Sequence, residues 1–448
     1  MPEMSGIILS ADIGTSSLKA AFIDFNRRVL AFSRMAYSPA SHGAAEAWEE
    51  AFAETLKNLK ANAAGYEVDA GKSVDAGYEV DAVCISGNGP TLVPIGPHSE
   101  TLPPLYWHDT NVFPHEETKS LFLPRVSWFK NKSSAEYERV SFFVSSHEWL
   151  SSKLGAELFT ALPSDSYEPY YWDDEQCSLL GVDRRKFPPF IKTGSVAGKV
   201  SAEAARSYGL KSGIPIIAGG PDFIMALIGS RTWKAGDVCD RAGSSEGVNF
   251  CASFPPAGSA VKGLRVLPHV IEGLWNIGAL IPSSGRIFEQ YRTSTGQSGR
   301  GYEEILAELI PSVKDTGLFK NITYNDPDSG RAALCAIGFS VRSALEKLSD
   351  SGFPVKEMTV SGGQGKNRRW NQLKADITGV SLKIPEIGDS ELAGNTVFSA
   401  LALGEASSME EAADRIIRFR EVYEPCNSSF WKERYTQYEA ERKTGNEK

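Results

Sequence analysis

Short apolar runs broken by glycine-rich polar turns recur along this chain, and they set its expected elements. Ile7-Ile8-Leu9-Ser10-Ala11 is nearly continuously apolar, as a strand buried on both faces would be. Asp12-Ile13-Gly14-Thr15-Ser16-Ser17 makes a turn, and Leu18-Lys19-Ala20-Ala21-Phe22-Ile23-Asp24 reads as the returning strand. Trp48, Phe52, Leu56 and Leu59 fall on one face of a helix predicted over 48–64. Ala82-Val83-Cys84-Ile85-Ser86 is another buried strand, closed by Gly87-Asn88-Gly89-Pro90 and followed by Thr91-Leu92-Val93-Pro94-Ile95. Residues 124–165 read as helical and amphipathic. Tyr167, Tyr170, Tyr171 and Trp172 form an aromatic cluster best read as packing.

The pattern then repeats. Ile216-Ile217-Ala218 is a buried strand, Gly219-Gly220-Pro221 breaks it, and a helix is expected to start over 224–228. A strand over 237–242, the hydroxyl-rich turn Gly243-Ser244-Ser245-Glu246-Gly247 and a returning strand over 248–251 restate the first strand-turn-strand. Ser283-Ser284-Gly285 precedes a helix through Ile287, Phe288 and Tyr291, and 332–348 is a second strong helix. Met358-Thr359-Val360-Ser361 leads into the loop Gly362-Gly363-Gln364-Gly365-Lys366-Asn367. The next helix carries Trp370, Leu373 and Ile377 on one face and ends at Gly379 as C′. Gly394-Asn395-Thr396 is expected to open a last small-residue helix over 397–405. One short segment, Gly65-Tyr66-Glu67-Val68-Asp69-Ala70, recurs as Gly77-Tyr78-Glu79-Val80-Asp81-Ala82, which reads as a duplication lengthening a helix-to-strand connection.

Composition narrows the classes. A chain of 448 residues exceeds one hydrophobic core, so two domains are expected. A net charge of -9, without a basic patch, argues against nonspecific nucleic-acid binding. The 6 cysteines form no C-x-x-C and read as reduced thiols, neither a disulfide framework nor a zinc site. The longest apolar runs are far too short to span a membrane, and no signal peptide is evident, so a cytoplasmic protein is expected.

Candidate chemistry lies in the turns. Gly14, Thr15, Ser16 and Ser17 offer backbone N–H groups and hydroxyls to phosphate, and Asp12 beside phosphates suits Mg²⁺; a plain hairpin with polar turn residues is equally consistent. Asp222, at the end of a buried strand, suits a general base, although Asp also opens helices as an N-cap. Asn88, Trp107 and Asp109 suit a polyhydroxylated ligand, with the ring stacked on its C–H face; Trp107 reads equally well as core packing. The Gly362-Gly363 loop permits close backbone approach to a base or a phosphate.

Taken together, Asp12-Ile13-Gly14-Thr15-Ser16-Ser17-Leu18-Lys19, Gly219-Gly220-Pro221-Asp222, Gly243-Ser244-Ser245 and Ser361-Gly362-Gly363-Gln364-Gly365-Lys366-Asn367 through Gly379 resemble the FGGY family of carbohydrate kinases over roughly residues 6–425. The resemblance implies an α/β protein of two ribonuclease-H-like domains, of the actin and sugar-kinase type, flanking a nucleotide cleft. Residues 1–221 would form the sugar-binding domain and 222–448 the nucleotide-binding domain. It implies ATP-dependent phosphorylation of a sugar or polyol hydroxyl, of the ketopentose or ketohexose class. Asp222 would be the catalytic base and Asp12 the residue holding Mg²⁺. Thr15, Ser16, Ser17 and Lys19 would lie near the β- and γ-phosphates, with Gly243 and Ser244 as a second phosphate turn. Ser284, Gly362, Gly363, Gln364 and Asn367 would complete the ATP-binding set. Asn88, Trp107, Asp109, Asp222 and Phe223 would line the substrate site. The expected partners are the sugar or polyol and ATP, and a homodimer fits the family.

Departures from the family pattern qualify this expectation. The second turn reads Gly-Ser-Ser-Glu in place of Gly-Thr-Ser-Gly, so Glu246 is expected to add negative charge near phosphate. Asn88 is followed by Gly89-Pro90, without the Arg-Glu pair of glycerol kinases or the Met-His pair of many xylulokinases; this argues against glycerol and leaves the sugar open. Residues 318–331 look shortened, and Phe223 stands where Asn or Gln often follows the base. These departures motivate an alternative, a non-catalytic, nucleotide-responsive sugar-binding protein on the same fold. A weaker third reading is an ATPase that drives a partner.

Overall fold

The structure is a computed structural model describing residues 6–26, 28–37, 44–63, 80–109, 111–112, 117–243, 245–256, 263–281, 283–315 and 327–445. The chain forms two compact units. The first comprises Met1–Gly229, His269–Glu272 and Glu391–Arg418, and the second Ser230–Pro268, Gly273–Ser390 and Phe419–Lys448. The junction at 221/222 expected from the sequence therefore falls inside the first unit.

The first unit is built on a six-stranded sheet in the order Val29–Ala36, Ser17–Asp24, Ile7–Ile13, Ala82–Gly87, Pro215–Ile217, Val196–Lys199. Ile7–Ile13 runs antiparallel to Ser17–Asp24 and parallel to Ala82–Gly87. Every residue of Ile7–Ile13 is buried, which explains its unbroken apolar run. Trp48, Phe52, Leu56 and Leu59, on the helix Glu46–Ala63, are buried in this core together with Leu9, Phe22, Val83 and Ile216. Gly219 is required by close approach: a Cβ there would stand 1.8 Å from the Ile85 carbonyl oxygen.

The second unit carries a seven-stranded sheet in the order Arg265–Pro268, Trp275–Ile281, Glu246–Ala252, Val238–Ala242, Glu357–Ser361, Ser381–Pro385, Phe419–Tyr423. Val238–Ala242 is antiparallel to Glu246–Ala252 and parallel to Glu357–Ser361. The first unit's plan is thus repeated within the second, as the paired strand-turn-strand pattern implied. Its core divides into a cluster under the sheet, including Val248, Ile277, Val341 and Leu382, and one among helices, including Phe288, Tyr291, Trp370 and Trp431.

Two expected elements differ. Residues 124–165 are not continuously helical: strands Phe142–Ser145 and Thr160–Leu162 interrupt the run. Phe142, Phe143 and Val144 favour a strand, and they pair antiparallel with Leu92–Ile95. The last small-residue helix begins at Ser390 and not near Gly394. Gly394 is no breaker there; a Cβ would lie 2.1 Å from the Met225 carbonyl oxygen, so glycine lets this helix close onto Asp222–Gly229. The first copy of the 65–82 duplication and most of the 318–331 stretch lie outside the described residues. All 6 cysteines are free thiols. Among the described residues no helix is long and apolar enough to cross a membrane.

Candidate functional site

In the first unit, strand register assembles a charged centre. Asp12 faces Lys19 across the antiparallel pair and Ser86 across the parallel one. Opposed residues on neighbouring strands share a face, so both side chains reach it. The Lys19 Nζ lies 3.8 Å from Asp12 Oδ2 and 3.9 Å from Glu391 Oε2. The Ser86 hydroxyl donates to Asp12 Oδ1 at 2.8 Å. Asn395 supports the arrangement by donating to the Ala11 carbonyl at 2.9 Å and to Ser86 Oγ at 3.2 Å.

Asp12 is only 2% exposed. Burial pushes its carboxyl up to about 7; Lys19 and Ser86 oppose the rise, while Glu391 and Asp222 add to it. Three carboxylates therefore act on one neighbourhood that holds one lysine. Asp222 is the first residue of the buried helix Asp222–Gly229, half-buried itself, and its Oδ1 accepts from the Phe223 N–H at 2.6 Å. It thus sits where a helix-opening Asp would, yet stays within electrostatic reach of Asp12. Phe223 lines a small apolar recess with Pro90, Leu121, Phe122, Tyr167 and Tyr171.

The turn after Ile13 is stitched from several sides. The Gly14 carbonyl accepts from the Tyr37 hydroxyl at 2.7 Å and from Asn88 Nδ2 at 3.3 Å. Trp107 Nε1 donates to Thr15 Oγ1 at 3.2 Å. Thr15 and Ser16 are exposed, whereas Ser17 is buried and its Oγ accepts from Arg34 Nε at 2.9 Å. Asn88 is buried, its Oδ1 taking the Ser146 hydroxyl at 3.3 Å. Asp109 is engaged locally, accepting from the Asn111 backbone and side chain at 2.9 Å each. The structure thus gathers Thr15, Trp107 and Asn88 around one turn.

In the second unit, the corresponding turn meets the glycine loop. The Gly243 carbonyl accepts from Gly285 N at 3.2 Å and from Gln364 Nε2 at 3.1 Å. Gln364 Nε2 also donates to Ser284 Oγ at 2.9 Å, and its Oε1 accepts from Trp370 Nε1 at 3.0 Å. Gly362 adopts φ 85°, a left-handed conformation, and a Cβ there would stand 2.7 Å from the Ala242 carbonyl oxygen. Gly363 is exposed and open. Asn367 is buried and caps the helix Arg368–Thr378 by accepting from Trp370 N at 2.9 Å. Ser284 is fully buried, and Ser244 lies outside the described residues. Glu246 departs from its expectation: it is 1% exposed and ion-paired to Lys374, so its charge is met internally.

Glu391, Asn395 and Lys374 were not foreseen. A signal for Glu391 exists in the repeat: it lies in the first turn of the helix after strand Ser381–Pro385, as Asp222 does in the helix after strand Pro215–Ile217.

Two sheets of one strand order, each opening on a polar strand-turn-strand, define an α/β protein of the two-domain ribonuclease-H-like kind. The model of the N-terminal domain of the FGGY family of carbohydrate kinases matches residues 118–229, and that of its C-terminal domain matches 314–403. An autoinducer-2 kinase of Escherichia coli (strain K12) is 23% identical over 348 residues, 68% of this chain and 65% of the relative. One from Yersinia pestis (strain Pestoides F) is 21% identical over 351 residues with the same coverage. The chain therefore spans 65% of the length of these curated relatives. A xylulose kinase from Lactobacillus acidophilus has a similar structure, with TM-score 0.78, 16% identity and 98% of each chain covered. A Plasmodium falciparum glycerol kinase with ADP gives 0.73 and 17%, covering 97% of this chain and 98% of that one.

Proposed function

We propose that this protein phosphorylates a hydroxyl of a sugar or polyol, of the ketopentose or ketohexose class, using ATP. The first unit would bind the sugar and the second the nucleotide. The observation that carries the reading is the grouping of Asp12, Lys19, Asp222 and Glu391 at strand and helix ends in the first unit. The matches to the two FGGY domain models and the likeness to proteins named as xylulose, glycerol and autoinducer-2 kinases support it.

The chemistry is balanced by one proton and one phosphoryl group. Asp222 accepts the proton of the substrate hydroxyl as its oxygen attacks the terminal phosphorus, and ADP leaves. Lys19 and the exposed Thr15 and Ser16 hold charge near the phosphates. Among the described residues no cluster of three or more metal-ligating side chains is present. A single buried carboxylate, raised by burial and then by its acidic neighbours, instead fits Mg²⁺, which keeps several waters and takes the rest of its shell from phosphate. Asp12 would hold it, and the ion would neutralise charge on the phosphates. The altered second turn, the motive for a non-catalytic alternative, loses force because Glu246 is buried and paired.

The test is ADP release with Mg-ATP across ketoses, aldoses and polyols, beside Asp222→Asn. The expected result is sugar-dependent release that the substitution and Mg²⁺ chelation both abolish, while the variant still binds ADP. An active Asp222→Asn enzyme would remove Asp222 from its role. Nucleotide binding without product from any sugar would favour the binding protein.

A further inference from the structure

The helix Arg368–Thr378 carries a fully buried lysine on a turn with the buried Trp370, Leu373 and Ile377. Lys374 is 0% exposed; its Nζ lies 2.7 Å from Asp240 Oδ2 and donates to Glu246 Oε1. Both carboxyls are buried. Burial and Glu246 push Asp240 well above the usual carboxylate range. Glu246 is held below it, Lys374 and hydrogen bonds outweighing burial, so one proton stays on the acidic pair. The triad is then neutral: one ammonium, one carboxylate, one carboxylic acid. Apolar side chains in place of the whole triad would pack there without desolvating any charge, and buried ion pairs seldom add net stability. What distinguishes this triad is what it holds.

Glu246 Oε2 accepts the Ser284 hydroxyl. Ser284 Oγ accepts from Gln364 Nε2 at 2.9 Å, and Gln364 Oε1 accepts from Trp370 Nε1 at 3.0 Å. Trp370 precedes Lys374 by one turn on the same helix, so the bonds close a ring: Lys374, Glu246, Ser284, Gln364, Trp370. From that ring Gln364 reaches the Gly243 carbonyl at 3.1 Å. The start of strand Glu246–Ala252, the start of helix Ser284–Ser294 and the Gly362–Gly365 loop are thereby locked to one helix. These are the segments assigned above to the nucleotide.

We propose that Glu246 and Lys374 are positioning residues of the nucleotide site, fixing the Gly243 turn and the Gln364 loop relative to each other through Ser284. The inference rests on the reading of the second unit as nucleotide-binding. The change from glycine to glutamate in the second turn is then one half of a paired device whose other half is Lys374.

The test is Mg-ADP binding by calorimetry together with thermal melting. In Glu246→Gln the amide offers one acceptor oxygen where the carboxylate offered two, so either Lys374 or Ser284 loses its partner, while Asp240 can ionise to pair Lys374. The fold should persist and the Kd for ADP rise about tenfold, the loss of one charge-assisted hydrogen bond. Ser284→Ala should weaken binding similarly, and the two changes together should cost little more than either alone. The double variant Glu246→Gly, Lys374→Leu removes both charged partners and leaves Asp240 as the buried acid. Its melting temperature should stay near the parent's, with ADP binding still weakened and the KM for sugar unchanged. Parent-like ADP affinity in the double variant, or additive losses in the cycle, would overturn the inference while leaving the kinase reading intact. A parent protein that binds no ADP would overturn both.

Discussion

Replacing His147 by leucine should stabilise the first unit, and by more in mild acid than at neutral pH. His147 lies on helix Ser146–Leu154, is 1% exposed, and among the described residues neither ring nitrogen has a hydrogen-bond partner. Burial pushes it down to about 3, so the folded protein keeps it neutral. The unfolded chain takes up a proton there below pH 6.5, the ordinary value. Protons bound only by the unfolded state mean that stability falls with falling pH, by about 1.4 kcal/mol per unit. Between pH 7.5 and pH 5.0, only the part below 6.5 counts, giving about 2 kcal/mol. The neighbouring Glu148 works in the opposite direction, since burial pushes its carboxyl up to about 7, and the folded state then holds the extra proton as pH falls towards 4.5. Asp12, pushed up to about 7, adds a slope of the same sign as Glu148, and both are common to parent and variant. His147→Leu removes the His147 slope alone and leaves those of Glu148 and Asp12. The variant's advantage, about 1–3 kcal/mol at pH 7.5 from relieving buried unsatisfied nitrogens, should therefore grow by about 2 kcal/mol at pH 5.0. Urea unfolding followed by tryptophan fluorescence at both pH values measures it. An equal advantage at both would refute the reasoning, because it would mean His147 titrates alike folded and unfolded.

Two further outcomes follow from contacts already described. Gly219→Ala places a Cβ against the Ile85 backbone oxygen, where no flexible side chain can yield. It should cost about 3 kcal/mol, the range of overpacked cores; a melting temperature within a degree of the parent would contradict the packing. Trp107→Phe removes the donor to Thr15 Oγ1 and keeps the ring. Losing one neutral hydrogen bond should raise the KM for ATP roughly two- to tenfold; steady-state kinetics with unchanged KM values would show that the contact does not shape the turn.

Much of this was legible because the central strands are buried on both faces. Ile7–Ile13, Ala82–Gly87 and Glu357–Ser361 show as apolar runs bounded by glycine, and Asp12 stands out as a charge inside one. The strand Phe142–Ser145 was hidden within a helical reading because four residues are too few for period alone to decide. Glu391 and Lys374 escaped for another reason. Each is an ordinary residue for a helix, and only strand register and tertiary burial turn it into part of a charged cluster. Exposure also sorted the hydroxyls of the turns: Thr15 and Ser16 face outward while Ser17 and Ser284 are spent inside, a distinction composition cannot make.

The return of Glu391–Arg418 to the first unit bears on how the chain is made. Asn395, which secures the Ala11 carbonyl, and Gly394, which lets its helix close on Met225, leave the ribosome long after the strands they complete. The second unit waits in turn for Phe419–Tyr423 to add its edge strand beside Ser381–Pro385. A nascent chain halted after Gly229 holds the sheet and Asp12 but not the helix that seals them. The first unit therefore cannot close until most of the second has been synthesised, and the carboxylate centre forms only once nearly the whole polypeptide is available.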